Sequence, residues 1–160
     1  MYTQQDCIRD TTDHIDQVKK NIHTIITQLH ERAAHHDESK LSQAEIQGFT
    51  EYTPKLKNSV YGSEEYRTFL EELKPILEHH YQHNRHHPEH FENGYRGMNL
   101  VDLIEMFCDW LASTQRQQAG DIYQSIQISQ QRFGLSDDLV QIFINTAKDV
   151  FHIPERTDQQ

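Results

Sequence analysis

The chain has 160 residues and a formal net charge of −10. That length can bury a core without disulfide or metal staples, and the acidic balance excludes a general nucleic-acid or membrane-surface binder, which needs a basic face. A nucleotide substrate stays open, because a bound metal can supply positive charge locally.

No apolar run approaches the ~20 residues that span a bilayer. The opening Met1-Tyr2-Thr3-Gln4-Gln5-Asp6 lacks the basic and apolar regions of a signal peptide. Two cysteines, Cys7 and Cys108, make no disulfide framework, so a single domain over 1–160 with reduced thiols in the cytoplasm is expected.

Residues from about 5 to 30 read as one amphipathic helix. Ile8, Ile15, Val18, Ile22, Ile25, Ile26 and Leu29 recur at three- and four-residue spacings. His14 lies at the edge of that arc, whereas His23 and His30 point away from it. After Arg32 and the pair His36-Asp37, Ser42 followed by Glu45 reads as a capping box that opens a short helix to about Phe49. Residues 50–62, with Pro54, Asn58 and Gly62, read as a loop. Ser63 then caps a helix whose apolar stripe is Tyr66, Phe69, Leu70, Leu73, Ile76 and Leu77, with Pro75 as a kink.

Half of the twelve histidines follow within His79–His90. A purification tag is a poor account of an internal run interleaved with Tyr81, Asn84, Arg85 and Pro88; a solvated polar helix is the better bland account. Continued at helical period to His87, the stripe passes through His80, Asn84 and His87. That leaves His79, His83, His86 and His90 on the other side. Polar groups extending a core-facing line need partners to offset desolvation, and imidazole is the commonest metal ligand.

Residues 91–98 form a turn with two glycines, and Asn99 caps a helix that is apolar around nearly its whole circumference. Its one polar row is Asp102, Glu105, Asp109, Ser113 and Arg116. That row is either a narrow solvent face or a set of carboxylates held by a cation despite their i,i+4 repulsion. Helices at about 121–133, closed by Gly134, and 137–151, capped by Ser136, complete an all-α domain, with a polar tail from Pro154.

The inward candidates are therefore His14, His36-Asp37, His80, His87 and Asp109. Imidazoles with carboxylates suit Zn, Mn, Fe, Co or Ni, and carboxylate-rich edges also admit Mg. The stretches His14-Ile15-x-x-Val18, Arg32-x-x-x-His36-Asp37-x-Ser39-Lys40, His80-x-x-x-Asn84-x-His86-His87 and Glu105-Met106-x-x-Asp109-Trp110 resemble, in this order, the HD superfamily of metal-dependent phosphohydrolases. They resemble more closely a group of small bacterial and phage proteins.

The resemblance implies a compact HD-like bundle of about five to seven helices. It also implies that His14, His36, Asp37 and Asp109 surround one metal, while His80 and His87, with His86, bind a second metal or a phosphate. His14 and His36 can share an ion only if the chain reverses between about Leu29 and Ala34, because 22 residues of continuous helix separate them by about 33 Å.

The leading functional expectation is hydrolysis of a phosphoester in a nucleotide or nucleotide-derived signal by a metal-activated water. Asp37, Glu105 and Lys40 form the expected catalytic set, and Lys40, Asn84, Arg85 and Arg96 the substrate contacts. The alternatives are an HD-type di-iron oxygenase and a non-catalytic, metal-stabilised protein that captures a partner or sequesters a nucleotide. The expected partner is a small phosphorylated molecule, with room for a homodimer.

Overall fold

The computed structural model describes residues 1–59, 63–116 and 120–155. It is all-α, with six α-helices and three short 3-10 segments, and no strand among the described residues. No helix there is long and apolar enough to cross a membrane. The chain divides into two units, Met1–His36 and Asp37–Gln160.

The first unit is one helix, α1 (Gln4–His35), opened by a capping box between Thr3 and Asp6. It runs unbroken through Leu29–Ala34, where a chain reversal was expected, so His14 and His36 sit about 33 Å apart and do not bind one ion together. The residues there are good helix formers with no Gly or Pro to interrupt them. None of the helix's residues is buried.

The second unit contains α2 (Ile46–Asn58), α3 (Glu64–His83), α4 (Leu100–Gln115), α5 (Ile122–Phe133) and α6 (Asp137–Asp149). Asn99, Gly134 and Ser136 mark helix ends as expected, and Asn99 forms a capping box with Asp102. Met106, Phe107 and Leu111 of α4 pack with Ile122 and Ile126 of α5 and Phe143 and Ala147 of α6. Trp110 lies parallel to Phe133 and edge-on to Phe143.

Two expectations fail here. Residues 50–58 are helix, not loop (Gly62 lies outside the described residues): α2 continues through Pro54 to Asn58. Its Phe49 and Leu56 line one cleft with Leu70, Leu73 and Leu77 of α3, and that packing outweighs the cost of an internal proline. Ser42 and Glu45 make no capping box: Glu45 precedes α2 without a side-chain cap, and its carboxylate turns inward to two histidines. Of the two readings of the acidic row of α4, the solvent face is excluded, because Asp102 is fully buried and Glu105 and Asp109 are half-buried. Gly48 sits where α2 meets α3, and a Cβ there would come 1.9 Å from Ile76 Cδ1, so the end of the Ile76 side chain would have to turn aside.

Candidate metal centre

The last turn of α3 supplies His80, as the apolar stripe implies, but the helix stops at His83 and does not reach His87. Asn84 leaves it in an extended conformation. At the break the side-chain amide of Asn84 donates back to the His80 carbonyl at 2.7 Å, and Pro88 disfavours a return to helix at His87, the residue before it. A turn closed by His87 N–H to Asn84 O then folds His86 and His87 back against His80, with ring centroids 6.2 and 4.9 Å from it. Helical phase left His86 outside the site; once the helix ends, that phase no longer applies, and His86 is 1 % exposed.

Each buried imidazole is oriented from behind by a carboxylate. His80 Nδ1 lies 2.8 Å from Glu45 Oε2, and His86 Nδ1 lies 3.2 Å from Glu105 Oε1. Burial pushes the Glu45 carboxyl up, but hydrogen bonds from His79, His80 and Ser39 outweigh it and hold its pKa below the ordinary value. An ionised Glu45 only accepts, so His80 Nδ1 carries the proton and the Nε2 lone pair points the other way. This is the tautomer that metal-ligating histidines take when a carboxylate holds their second nitrogen.

The Nε2 atoms converge on Asp37. His80 Nε2 is 3.0 Å from His87 Nε2 and 3.2 Å from Asp37 Oδ1, and His86 Nε2 is 3.5 Å from the same oxygen. One ligand atom from each of Asp37, His80, His86 and His87 lies within 4.8 Å of the other three. Metal–ligand bonds of 2.0–2.1 Å place neighbouring donors about 2.8–3.4 Å apart in octahedral or tetrahedral geometry, and the observed spacings fall around that range. The residues therefore form a buried His/Asp cluster that could hold a metal ion. Burial lowers the His87 pKa to about 3, helped by the neighbouring His86 and His80 and opposed by Asp109 and Asp37. A neutral His87 at pH 7 keeps a lone pair for coordination.

Asp37 itself has φ 57°, in the left-handed region that Asp tolerates better than most residues. The 3-10 turn Glu38–Leu41 follows, carrying Ser39 and Lys40. Ser39 Oγ donates to Glu45 and accepts from Asn84 Nδ2 at 2.7 Å. Lys40 Nζ pairs with Asp37 Oδ2.

Of the other expected metal ligands, Asp109 offers a carboxylate oxygen within 4.8 Å of one on Asp37. His14 is exposed on α1, and His36 caps that helix as the last residue of the first unit. Asp109 is half-buried and near enough to His87 for its charge to favour protonation there. Asn84 is committed to Ser39 and the His80 carbonyl, so it braces the site. Arg85 grips Asp102 through two bonds, at 3.1 and 2.9 Å, and lies over the Phe91 ring; it is a structural cation. Arg96 lies over the Tyr95 ring.

Sequence reading missed Glu45, Ser39 and the contact of His79 Nδ1 with Glu45 Oε1 at 2.7 Å. The only signal for Glu45 was a carboxylate beside an apolar helix, which the capping-box reading absorbed.

A family model described as "Family of unknown function (DUF5662)" matches residues 3–149. The chain belongs to the DUF5662 family. No curated protein and no solved structure matches the chain. The DUF5662 match spans α1 and the whole of the cluster described above.

Proposed function

We propose that Asp37, His80, His86 and His87 hold a divalent transition-metal ion and that the protein hydrolyses a small phosphoester, a nucleotide or a nucleotide-derived signal. The observation that carries this reading is the pair of buried carboxylate–histidine contacts, Glu45–His80 and Glu105–His86, which turn both Nε2 atoms towards Asp37. Three nitrogens and one carboxylate suit Mn, Fe, Co, Ni or Zn better than Mg, which asks for oxygen donors.

A bound ion would lower the pKa of a coordinated water towards ~7 and so supply a nucleophile at neutral pH. The chain's own residues do the rest. Asp37, His80, His86 and His87 would hold the ion. Asp37 uses Oδ1 towards the histidines and Oδ2 towards Lys40, so one carboxylate fixes the cation beside the cluster. The Lys40 side chain is 37 % exposed, which leaves it able to meet an incoming phosphoryl oxygen. Glu105 acts by holding His86 in orientation. The ordered resemblance of the His-Asp, His80–His87 and Glu105–Asp109 stretches to HD phosphohydrolases supports the same reaction class.

The test is a panel of nucleotides and cyclic or linear dinucleotides, incubated with protein reconstituted separately with each of these metals. Release of phosphate or of a shortened nucleotide, abolished by Asp37→Ala, is the expected result. No product from any metal form, beside an active control phosphohydrolase in the same buffer, overturns the reading. Iron content with optical bands that change on exposure to oxygen would move the site to oxidative chemistry.

A further inference from the structure

Helix α1 is 32 residues long and buries none of its side chains. At 1.5 Å per residue it extends about 48 Å, and a lone helix of this kind is marginal in water, because tertiary packing of an apolar face supplies most helical stability. Its apolar residues are nevertheless ordered along one line: Ile8, Ile15, Val18, Ile22, Ile25 and Ile26 are each between 39 and 58 % exposed.

The spacing of that line identifies its partner. Ile8, Ile15, Ile22 and Leu29 recur every seven residues, and Val18 and Ile25 fall three residues after Ile15 and Ile22. Ile15, Val18, Ile22 and Ile25 fill a and d of two consecutive heptads, with Ile8 and Leu29 at the a positions on either side and Thr11 and Arg32 at the outer d positions; this pattern keeps a seam facing another helix. On a straight helix of 3.6 residues per turn a seven-residue line drifts by about 20° per heptad, and supercoiling against a like helix removes the drift.

The residues flanking the seam do not oppose self-pairing. Cys7, His14, Asn21 and Gln28 line one side, and Gln5, Thr12, Lys19 and Ile26 the other, so no ladder of like charges forms between copies. The polar face does not fit a membrane surface, since Asp6, Asp10, Asp13, Asp16 and Glu31 outnumber Arg9, Lys19, Lys20 and Arg32, and interfacial helices carry a basic face.

We infer that α1 is an oligomerisation helix that pairs with α1 of a second copy of this chain through a coiled coil centred on Ile15, Val18, Ile22 and Ile25. β-Branched residues at d allow more than two strands, and the measured mass counts them. The inference is independent of the metal centre.

The experiment is sedimentation velocity and light scattering on the full chain across a concentration series. It compares wild type with Ile15→Asp/Ile22→Asp and with Thr27→Asp, a change on the opposite face. Wild type and Thr27→Asp should sediment as the same oligomer, and the double variant as a monomer with reduced helical circular dichroism. The single variant Ile22→Asn, which a coiled coil accepts at one a position at a cost in stability, should raise the dissociation midpoint at least tenfold while leaving the rest of the chain folded. A wild-type monomer at the highest soluble concentration overturns the inference, as does an unchanged oligomer in Ile15→Asp/Ile22→Asp or an unshifted midpoint in Ile22→Asn.

Discussion

Glu45 Oε2 lies 2.8 Å from His80 Nδ1, and both side chains are withdrawn from solvent. The contact joins the residue preceding α2 to the last turn of α3, 35 positions apart. It fixes which imidazole nitrogen carries the proton and which is left to face Asp37. A fully buried carboxylate is costly unless it is bonded, and Glu45 is bonded by His79, His80 and Ser39 together.

Replacing Glu45 by Gln keeps the shape but removes the charge that sets the His80 tautomer. Loss of a carboxylate behind a metal-binding histidine typically costs 10–100-fold in metal affinity, and a fall of that size is expected for Glu45→Gln. Competition against a chelator of known affinity measures it. Unchanged affinity would reduce Glu45 to a structural role.

Arg85 and Asp102 make a different kind of pair. Asp102 is fully buried and receives both Arg85 and the Asn99 backbone N–H. Arg85→Met leaves that carboxylate short of donors and should destabilise the protein by roughly 2–3 kcal/mol, read as a lower urea midpoint. Metal content and any phosphohydrolase activity should survive. A large loss of activity without loss of stability would return Arg85 to the substrate contacts.

His87 gives a signed pH dependence. Its folded pKa is about 3 against an ordinary value of 6.5, from burial first and then from His86 and His80, with Asp109 and Asp37 opposing. Between those two values the unfolded chain takes up a proton that the folded protein resists, so stability is full above pH 6.5 and falls as pH drops towards 3. Urea unfolding of metal-stripped protein across that window should show the slope, and His87→Gln should flatten it. An equal slope in both proteins would assign the acid sensitivity to other groups.

Lys40 separates binding of the ion from chemistry on a phosphoester. It contacts Asp37 Oδ2, and the histidines face Oδ1, so Lys40→Ala should keep the metal. Removing one charge-stabilising group typically costs 10²–10³ in rate, and a loss of about 100-fold in phosphoester turnover is expected. Steady-state assays on metal-quantified samples decide this; full activity would remove Lys40 from the reaction.

Much of the helical layout was legible because local chemistry agrees with it: Ser63, Asn99, Gly134 and Ser136 each cap or close a helix where their residue types predict. His80 was legible from the phase of the α3 stripe. His86 was not, because its burial depends on the chain leaving the helix at Asn84 and doubling back, which periodicity cannot register. Glu45 was hidden by a local motif that competes with a contact 35 positions away, and long-range partners leave no mark in local spacing. The helical course of α2 through Pro54 is a tertiary override of a local penalty. The uninterrupted α1 went the other way: propensity alone was right, and the reversal expected from the resemblance was not there.

Asp37, His80, His86 and His87 are proposed to bind one metal ion. The most direct measurement is elemental analysis after anaerobic reconstitution with Mn, Fe, Co, Ni or Zn and removal of loose ions. Wild type is compared with Asp37→Ala and with His80→Ala, with circular dichroism as the folding control. About one tightly held transition metal per wild-type chain, lost from both folded variants, is the expected result. Equal metal in all three proteins, or none retained by wild type, would contradict the account.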